Sequence, residues 1–396
     1  MKRNTIRPVI IFLIIAFVIA VGISVYTYTE PKLTLFHPDK ITNNFAHMDQ
    51  IFPSRIIHKS TTSYHYFKNP TAIPTSYVYD GQDKMLDEFL TRSKTTGLLV
   101  IQDDTIVYEE YFEGYDASTT ATSYSVAKSF ISTLVGIAID DGLIESVHDP
   151  ITQYVPELRG SGFDGVSIAY ILQMSSGLDF TESYDDKSTD AFKMFDQMFI
   201  FMQPLDNIAA SYGSSVEPGT QFHYASINTH ALAMLVRSVS GQELTSYLEQ
   251  ELWQPLGMEN DAFWSLDNHG SELGFMGLNA TLRDFAKLGS LFLNKGQFNG
   301  QRIVSESWVT EATTPDADFL QPGQIDEDWG YQYQWWIPRG STRDFAAIGI
   351  WGQMIYVNPE ANMVIVKTSA DKDFKEHEYE AIQLFRTIAQ EFKTDK

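Results

Sequence analysis

Residues 123–129 read Ser-Tyr-Ser-Val-Ala-Lys-Ser, and the sequence that follows them to Asp141 has helical spacing. Val126, Phe130, Leu134, Ile137 and Ala138 fall on one face, and Gly142 supplies a stop. A serine hydroxyl is a weak nucleophile until a base takes its proton. Lys128 stands three residues after Ser125, so on a helix the two side chains share a face and can touch. Ser125 opens this helix, where free backbone N–H groups and the helix dipole favour developing negative charge. The lysine must be neutral to act as base. Burial in an apolar wall or a nearby cation lowers its pKa from about 10.4.

The pattern alone is weak, because about one Ser-x-x-Lys is expected by chance in such a chain. A second one does occur at residues 369–372, but it follows a strand-like run and opens into polar sequence with no amphipathic helix behind it. Upstream of Ser125, residues 97–102 and 105–112 read as two strands joined by a tight turn at Asp103 and Asp104. A helix is predicted over 82–92. Residues 30–80 are rich in Pro, Thr, Asn, Tyr and His, with weak periodicity, and read as an extended tether that then wraps onto the domain.

Downstream, residues 145–275 are mostly helical segments broken by Pro and Gly loops, with one clear helix over 228–239. Another helix covers 282–293. Strands return at 345–350, 353–358 and 363–368, the last two joined by a turn at 358–362. A helix over 377–392 closes the chain. Strands at both ends with helices between predict an α/β sheet domain from 81–144 and 276–396, interrupted by a mainly helical insertion at 145–275.

Residues 8–28 carry no charge, and about 20 apolar residues suffice to cross the hydrocarbon core. Lys2, Arg3 and Arg7 precede them, which keeps the N-terminus cytoplasmic and the bulk of the chain outside. Residues 1–29 are therefore expected to anchor the protein in the cytoplasmic membrane by a single pass. The rival is a cleaved signal peptide and a secreted or periplasmic product. Such a peptide has a shorter apolar core and a small-x-small site, and no convincing site appears in residues 22–29.

The chain has 396 residues, enough for a substantial core and two subdomains. With 43% hydrophobic and 20% charged residues it has an ordinary globular mix. Removing the three leading cations from the 28 basic residues leaves 25 against 51 acidic ones. Such a body repels nucleic-acid backbones, and no nucleic-acid partner is expected. With no cysteine, disulfides, thiolate metal sites and a cysteine nucleophile are excluded. The nine histidines are scattered without ligand spacing, so no metal site is expected. No Gly-x-Ser-x-Gly elbow occurs, which disfavours an α/β-hydrolase.

Beyond this, the chain resembles the penicillin-recognising serine hydrolases. It is similar to their class C β-lactamase-like branch, and within it to the 6-aminohexanoate-dimer hydrolase-like proteins. The likeness covers most of residues 43–370. Residues 44–53, Asn-Phe-Ala-His-Met-Asp-Gln-Ile-Phe-Pro, resemble a phrase at the front of that subgroup. Residues 123–129 match the nucleophile helix, and residues 172–178, Leu-Gln-Met-Ser-Ser-Gly-Leu, match a family loop. Residues 217–228, Glu-Pro-Gly-Thr-Gln-Phe-His-Tyr-Ala-Ser-Ile-Asn, match a further stretch, as do residues 253–258 and 281–286.

The resemblance implies a β-lactamase/transpeptidase-like α/β fold, mainly an antiparallel sheet flanked by helices, with the active site at the junction with the helical insertion. It makes Tyr224, in Tyr224-Ala225-Ser226, the phenol that shuttles protons between Ser125, Lys128 and the leaving group, phenolate-like beside a lysine ammonium. Ser226 would help position Lys128 or substrate. For the third motif, Lys367-Thr368-Ser369 looks right locally, but Ile350-Trp351-Gly352-Gln353 sits one strand earlier, where the subgroup carries its glycine-containing phrase. The backbone N–H groups of Ser125 and Gln353 would then form the oxyanion hole, with Gly352 allowing close backbone approach. Ile350 replaces the cation that meets a β-lactam carboxylate, and Trp351 adds bulk at the rim. Tyr184 resembles a substrate-facing tyrosine of the subgroup. The implied activity is hydrolysis of a small ester or amide through an acyl-enzyme on Ser125, without metal or organic cofactor. A D-peptide carboxypeptidase or β-lactamase, and a non-catalytic binding protein on the same fold, are the alternatives. Oligomeric state is left open.

Overall fold

The computed structural model describes residues 6–340 and 342–393. The chain begins with helix α1 (Ile6–Leu33). Its stretch Ile11–Leu33 has mean hydropathy 2.4 and is not buried against the protein, so it is long and apolar enough to cross a membrane. After β1 (Ser54–Ile57) come the neighbouring strands β2 (Thr95–Gln102) and β3 (Thr105–Tyr111). Helix α2 (Ala127–Asp140) follows a single 3-10 turn at Tyr124–Val126. The middle of the chain supplies α3 (Asp190–Phe199), α4 (Ser226–Ser240), β4 (Ala262–Ser265), β5 (Leu278–Ala280) and α5 (Leu282–Leu293). The last quarter supplies β6 (Phe345–Gly349), β7 (Gln353–Asn358), β8 (Met363–Ser369) and α6 (Phe374–Glu391).

Eight strands form the main sheet, in the order Trp329–Gln332, Trp335–Pro338, β6, β7, β8, β2, β3, Phe67–Lys68. All its pairs are antiparallel except the last. The two chain ends meet at its centre, where β8 pairs with β2 from Met363 opposite Gln102 onward. Both strands are buried along nearly their whole length, with unbroken apolar runs at 98–101 and 363–366, as strands covered on both faces carry. Period-two alternation sorts their side chains. Leu99, Ile101, Val364 and Val366 join the core under α2, α4 and α5. Leu98, Val100, Met363 and Ile365 join the core under α6, with its Ile382, Phe385 and Ile388. Each fully buried side chain of this kind stabilises the fold by about 1.5–3 kcal/mol relative to exposure. Helix α2 is the pivot of the first core, buried from Ala127 through Ala138.

Four features differ from the sequence reading. Residues 82–92 are not all helix: Gln82–Met85 is a strand paired with Ser76–Tyr79, and helix begins only at Leu86. The cause is the turn at Asp80 and Gly81, both at positive φ, which suits a two-residue hairpin. Residues 30–80 wrap onto the domain, with no extended tether ahead of the wrapped part. Helix α1 runs on to Leu33, and Leu35, Ile41, Phe45, Met48, Ile51 and Phe52 are buried in the main core. The stretch 145–275 includes β4, which lies between β1 and β5 in a second, four-stranded antiparallel sheet completed by Ala121–Thr122. Finally, the sequence reading had no strands at 329–338. Their hairpin turns at Tyr333 and Gln334, both at positive φ, and tertiary contacts hold it. Ser129 donates to the Gln334 carbonyl at 2.7 Å, and Thr229 donates to its side-chain oxygen at 2.7 Å.

Candidate active site

The turn before α2 is tightly constrained. Tyr124 has φ +43°, a left-handed value that costs a bulky L residue energy. It places Ser125 in the 3-10 turn at the head of α2, 9% exposed. The end of β6 presses against this turn. A Cβ on Gly349 would stand 2.5 Å from the Ser123 carbonyl oxygen, 3.0 Å from the Ser125 nitrogen and 3.3 Å from the Gln353 Cβ. Only glycine permits that approach. Ser125 and the start of β7 are thus brought to one spot, and Gln353 lies opposite Gly349 in the strand register.

One helical turn on, the Lys128 ammonium donates to Ser125 Oγ at 2.9 Å and to the Phe275 carbonyl at 2.9 Å. Lys128 is 2% exposed. Its burial pushes its pKa down to about 7, against the opposing pull of the Glu182 carboxylate. At that value a large neutral fraction exists near neutral pH, and the same contact can then run from Oγ–H to Nζ. The Tyr224 ring lies 5.2 Å from Lys128 Nζ. Burial, then the charges of Glu182 and Glu378, raise the pKa of Tyr224, while a hydrogen bond with Ser125 pulls it the other way. The balance keeps the phenol protonated. Tyr224 is stacked on Trp336 and meets Tyr331 edge-on.

Glu182 was not singled out from the sequence. Its carboxylate accepts from the Ser226 backbone N–H at 2.6 Å, from Ser226 Oγ at 2.8 Å and from the Tyr184 hydroxyl at 2.5 Å. Ser226 therefore holds Glu182, and among the described residues its hydroxyl bonds this carboxylate instead of Lys128. Tyr184 is drawn into the same cluster, its ring edge-on to Phe374. The only sequence signal for Glu182 was its place two residues before Tyr184 in a loop without periodicity.

Trp351 and Gly352 form a left-handed turn between β6 and β7, with φ of +65° and +81°. The Trp351 carbonyl accepts from Ser369 Oγ at 2.6 Å, from the Asp371 backbone N–H at 3.1 Å and from Gln353 Nε2 at 3.2 Å. Behind it Lys367 donates to Ser369 Oγ at 2.9 Å. Lys367 is buried, with its pKa pushed down to about 8 by desolvation. Lys367 and Ser369 thus brace the turn from behind. Lys372, of the second Ser-x-x-Lys, is exposed and paired with Asp373 at 2.8 Å. On the outer side the Trp351 ring stacks on Phe36 at 5.1 Å and meets Phe45 at 5.9 Å. Among the described residues no cluster of His, Asp or Glu is arranged to hold a metal ion.

The Beta-lactamase family model matches residues 83–387. The chain is 31% identical over 301 residues to the 6-aminohexanoate-dimer hydrolase of Paenarthrobacter ureafaciens, covering 73% of this chain and 76% of that protein. It is 25% identical over 221 residues to a protein of Salmonella agona (strain SL483) described as a candidate D-alanyl-D-alanine carboxypeptidase, covering 49% of this chain and 50% of that one. In structure it superposes with TM-score 0.81 on a Bacillus anthracis protein described as a candidate 6-aminohexanoate-dimer hydrolase, over 90% of this chain and 95% of that one at 23% identity.

Proposed function

This chain belongs to the beta-lactamase family of hydrolases, and on that premise we propose that it is a membrane-anchored serine hydrolase cleaving a small ester or amide through an acyl-enzyme on Ser125. The observation that carries the reading is the buried 2.9 Å contact between Ser125 Oγ and a Lys128 whose pKa is lowered to about 7.

In the first step Ser125 Oγ attacks the carbonyl carbon, its proton passes to Lys128 Nζ, and the carbonyl electron pair moves onto oxygen. The Ser125 and Gln353 backbone N–H groups would receive that oxyanion, fixed dipoles that need no reorganisation. Tyr224, kept protonated, then gives its proton to the leaving amine or alcohol and is reprotonated from Lys128. The carbon–heteroatom bond breaks and the acyl-enzyme remains. Water next attacks it, losing a proton to the Lys128–Tyr224 pair, and Ser125 leaves with that proton.

The surroundings favour an uncharged or cationic substrate over an anionic one. Ile350 stands where a cation would meet a carboxylate, and Glu182 places negative charge by Lys128 and Tyr224. This weighs against a β-lactam or a D-peptide C-terminus. Tyr184, Ser226 and Trp351 are read as the substrate-side wall. The site would lie where a sheet domain from 81–144 and 276–396 meets the insertion at 145–275. The apolar span after Lys2, Arg3 and Arg7 supports anchoring in the cytoplasmic membrane with the catalytic body outside.

The test is intact-mass analysis of the full-length protein in detergent after treatment with a fluorophosphonate probe. One adduct that disappears in Ser125→Ala is the expected result. Absence of any adduct on folded protein would overturn the hydrolase mechanism and favour a non-catalytic binding role.

A further inference from the structure

The run 197–205, Gln-Met-Phe-Ile-Phe-Met-Gln-Pro-Leu, carries no charge in a chain with 51 acidic residues. It leaves the end of α3 as a loop whose apolar side chains face water: Ile200 is 64% exposed, Phe201 68% and Met202 46%. Apolar tips left unburied in this way mark a surface that meets something.

The loop's position says what. It is fastened to the outer end of α1. The Tyr28 hydroxyl lies 3.4 Å from the Phe199 carbonyl oxygen and 2.9 Å from Asn268 Oδ1. Asn268 in turn donates to the Met198 carbonyl at 2.9 Å, and His269 Nε2 meets the Met202 carbonyl at 2.7 Å. Lys32 lies over the Tyr28 ring at 3.7 Å. Tyrosine and lysine at the end of an apolar helix are residues of the membrane interface, where an amphipathic ring or a snorkelling cation is at home. The loop is therefore tied to the helix at the level where the helix leaves the bilayer.

We propose that Ile200, Phe201 and Met202 insert into the outer interface of the same bilayer that α1 spans, giving the catalytic body a second, fixed membrane contact. The inference rests on α1 being a span and does not depend on the hydrolase chemistry. Insertion is driven by apolar burial and not by charge, since the acidic body gains nothing from anionic lipid. Helix α3 connects this contact to the catalytic cleft. Phe199 stacks on Phe195 at 6.3 Å, Phe195 meets Phe275 at 6.2 Å, and the Phe275 carbonyl receives Lys128. The cleft is thus linked to the loop by a short run of ring contacts, which suits an amphiphilic ester or amide partitioned into the bilayer surface.

The chain has no cysteine, so single-cysteine labelling is clean. Full-length Phe201→Cys, Phe17→Cys and Leu143→Cys, each carrying an environment-sensitive fluorophore, would be placed in phosphatidylcholine vesicles with nitroxide lipids labelled at shallow or deep positions. Phe17 reports the span. Leu143, 39% exposed beyond the far end of α2, reports water. The expected result is that label 17 loses emission to the deep nitroxide, label 201 to the shallow one, at about 5–10 Å depth, and label 143 to neither. If 17 is quenched and 201 behaves like 143, the loop proposal is overturned while the span stands. If 17 is not quenched, the span reading fails and the loop proposal with it. A blue shift at 201 without lipid quenching, growing with protein-to-lipid ratio, overturns the proposal in favour of a second copy covering the loop.

Discussion

At the scale of single residues, the proposed chemistry turns on the protonation of Lys128. Its pKa is lowered to about 7 because burial penalises the ammonium, and Glu182 opposes that by favouring it. The neutral lysine is the active form. The rate of fluorophosphonate labelling is therefore expected to rise with pH through about 7 and then level off. Removing the Glu182 charge takes away the group that holds the proton on, so Glu182→Gln is expected to move this limb to lower pH. A Glu182 that only braced Ser226 would leave the limb where it is. Lys128→Arg is expected to abolish labelling, because a guanidinium cannot give up its proton in a protein. The contact between Ser125 and Lys128 was legible in the sequence because helical spacing turns a three-residue offset into proximity. Glu182 was not, because a loop has no period from which to read which way a side chain turns.

At the scale of elements, the geometry of the candidate site is a matter of how closely β6 can approach the turn before α2. Gly349 has ordinary extended backbone angles, φ −127° and ψ 146°, so only space restricts the position. An added Cβ would press on the Ser123 carbonyl and the Ser125 amide together. Gly349→Ala is expected to cost about 1–3 kcal/mol, as overpacking of a tight site does, and to slow labelling by displacing Ser125 from Gln353. Thermal unfolding and the labelling rate of the same variant check both effects; an unchanged rate would detach Gly349 from the site. The strands around it were readable, since 345–368 is apolar sequence punctuated by turn residues. The neighbouring hairpin at 329–338 was not, because Tyr333 and Gln334 carry no turn chemistry and adopt positive φ only under the grip of Ser129 and Thr229. The reverse error arose at Asp80 and Gly81, a standard hairpin signal that the apolar pattern of the helix after it obscured.

At the scale of the whole molecule, the main question is where the apolar N-terminal helix ends and the folded body begins. Both chain ends entering one sheet could be inferred from strands at 97–112 and 345–368. The role of the arm between could not, because its apolar residues are few and Pro and His interrupt them. Yet a signal was present: Ile41, Phe45, Met48 and Phe52 follow at helical intervals, and all four are buried. Phe45 is 2% exposed and packs edge-on against Tyr124, the residue before Ser125, and against Trp351, two residues before Gln353. The arm thus packs against the candidate site as well as forming core. Phe45→Ala is expected to lose about 3–5 kcal/mol, the cost of emptying a buried phenylalanine site, and to weaken labelling through the same contacts. A chain starting at Thr34 keeps every one of these residues and is expected to unfold near the full-length temperature. A chain starting at Asp49 discards Leu35, Ile41, Phe45 and Met48 and exposes the core they cover, so its unfolding temperature should fall sharply. If the two truncated chains melted together, the arm would be a tether after all, and the contacts of Phe45 with Tyr124 and Trp351 would contribute nothing to the fold.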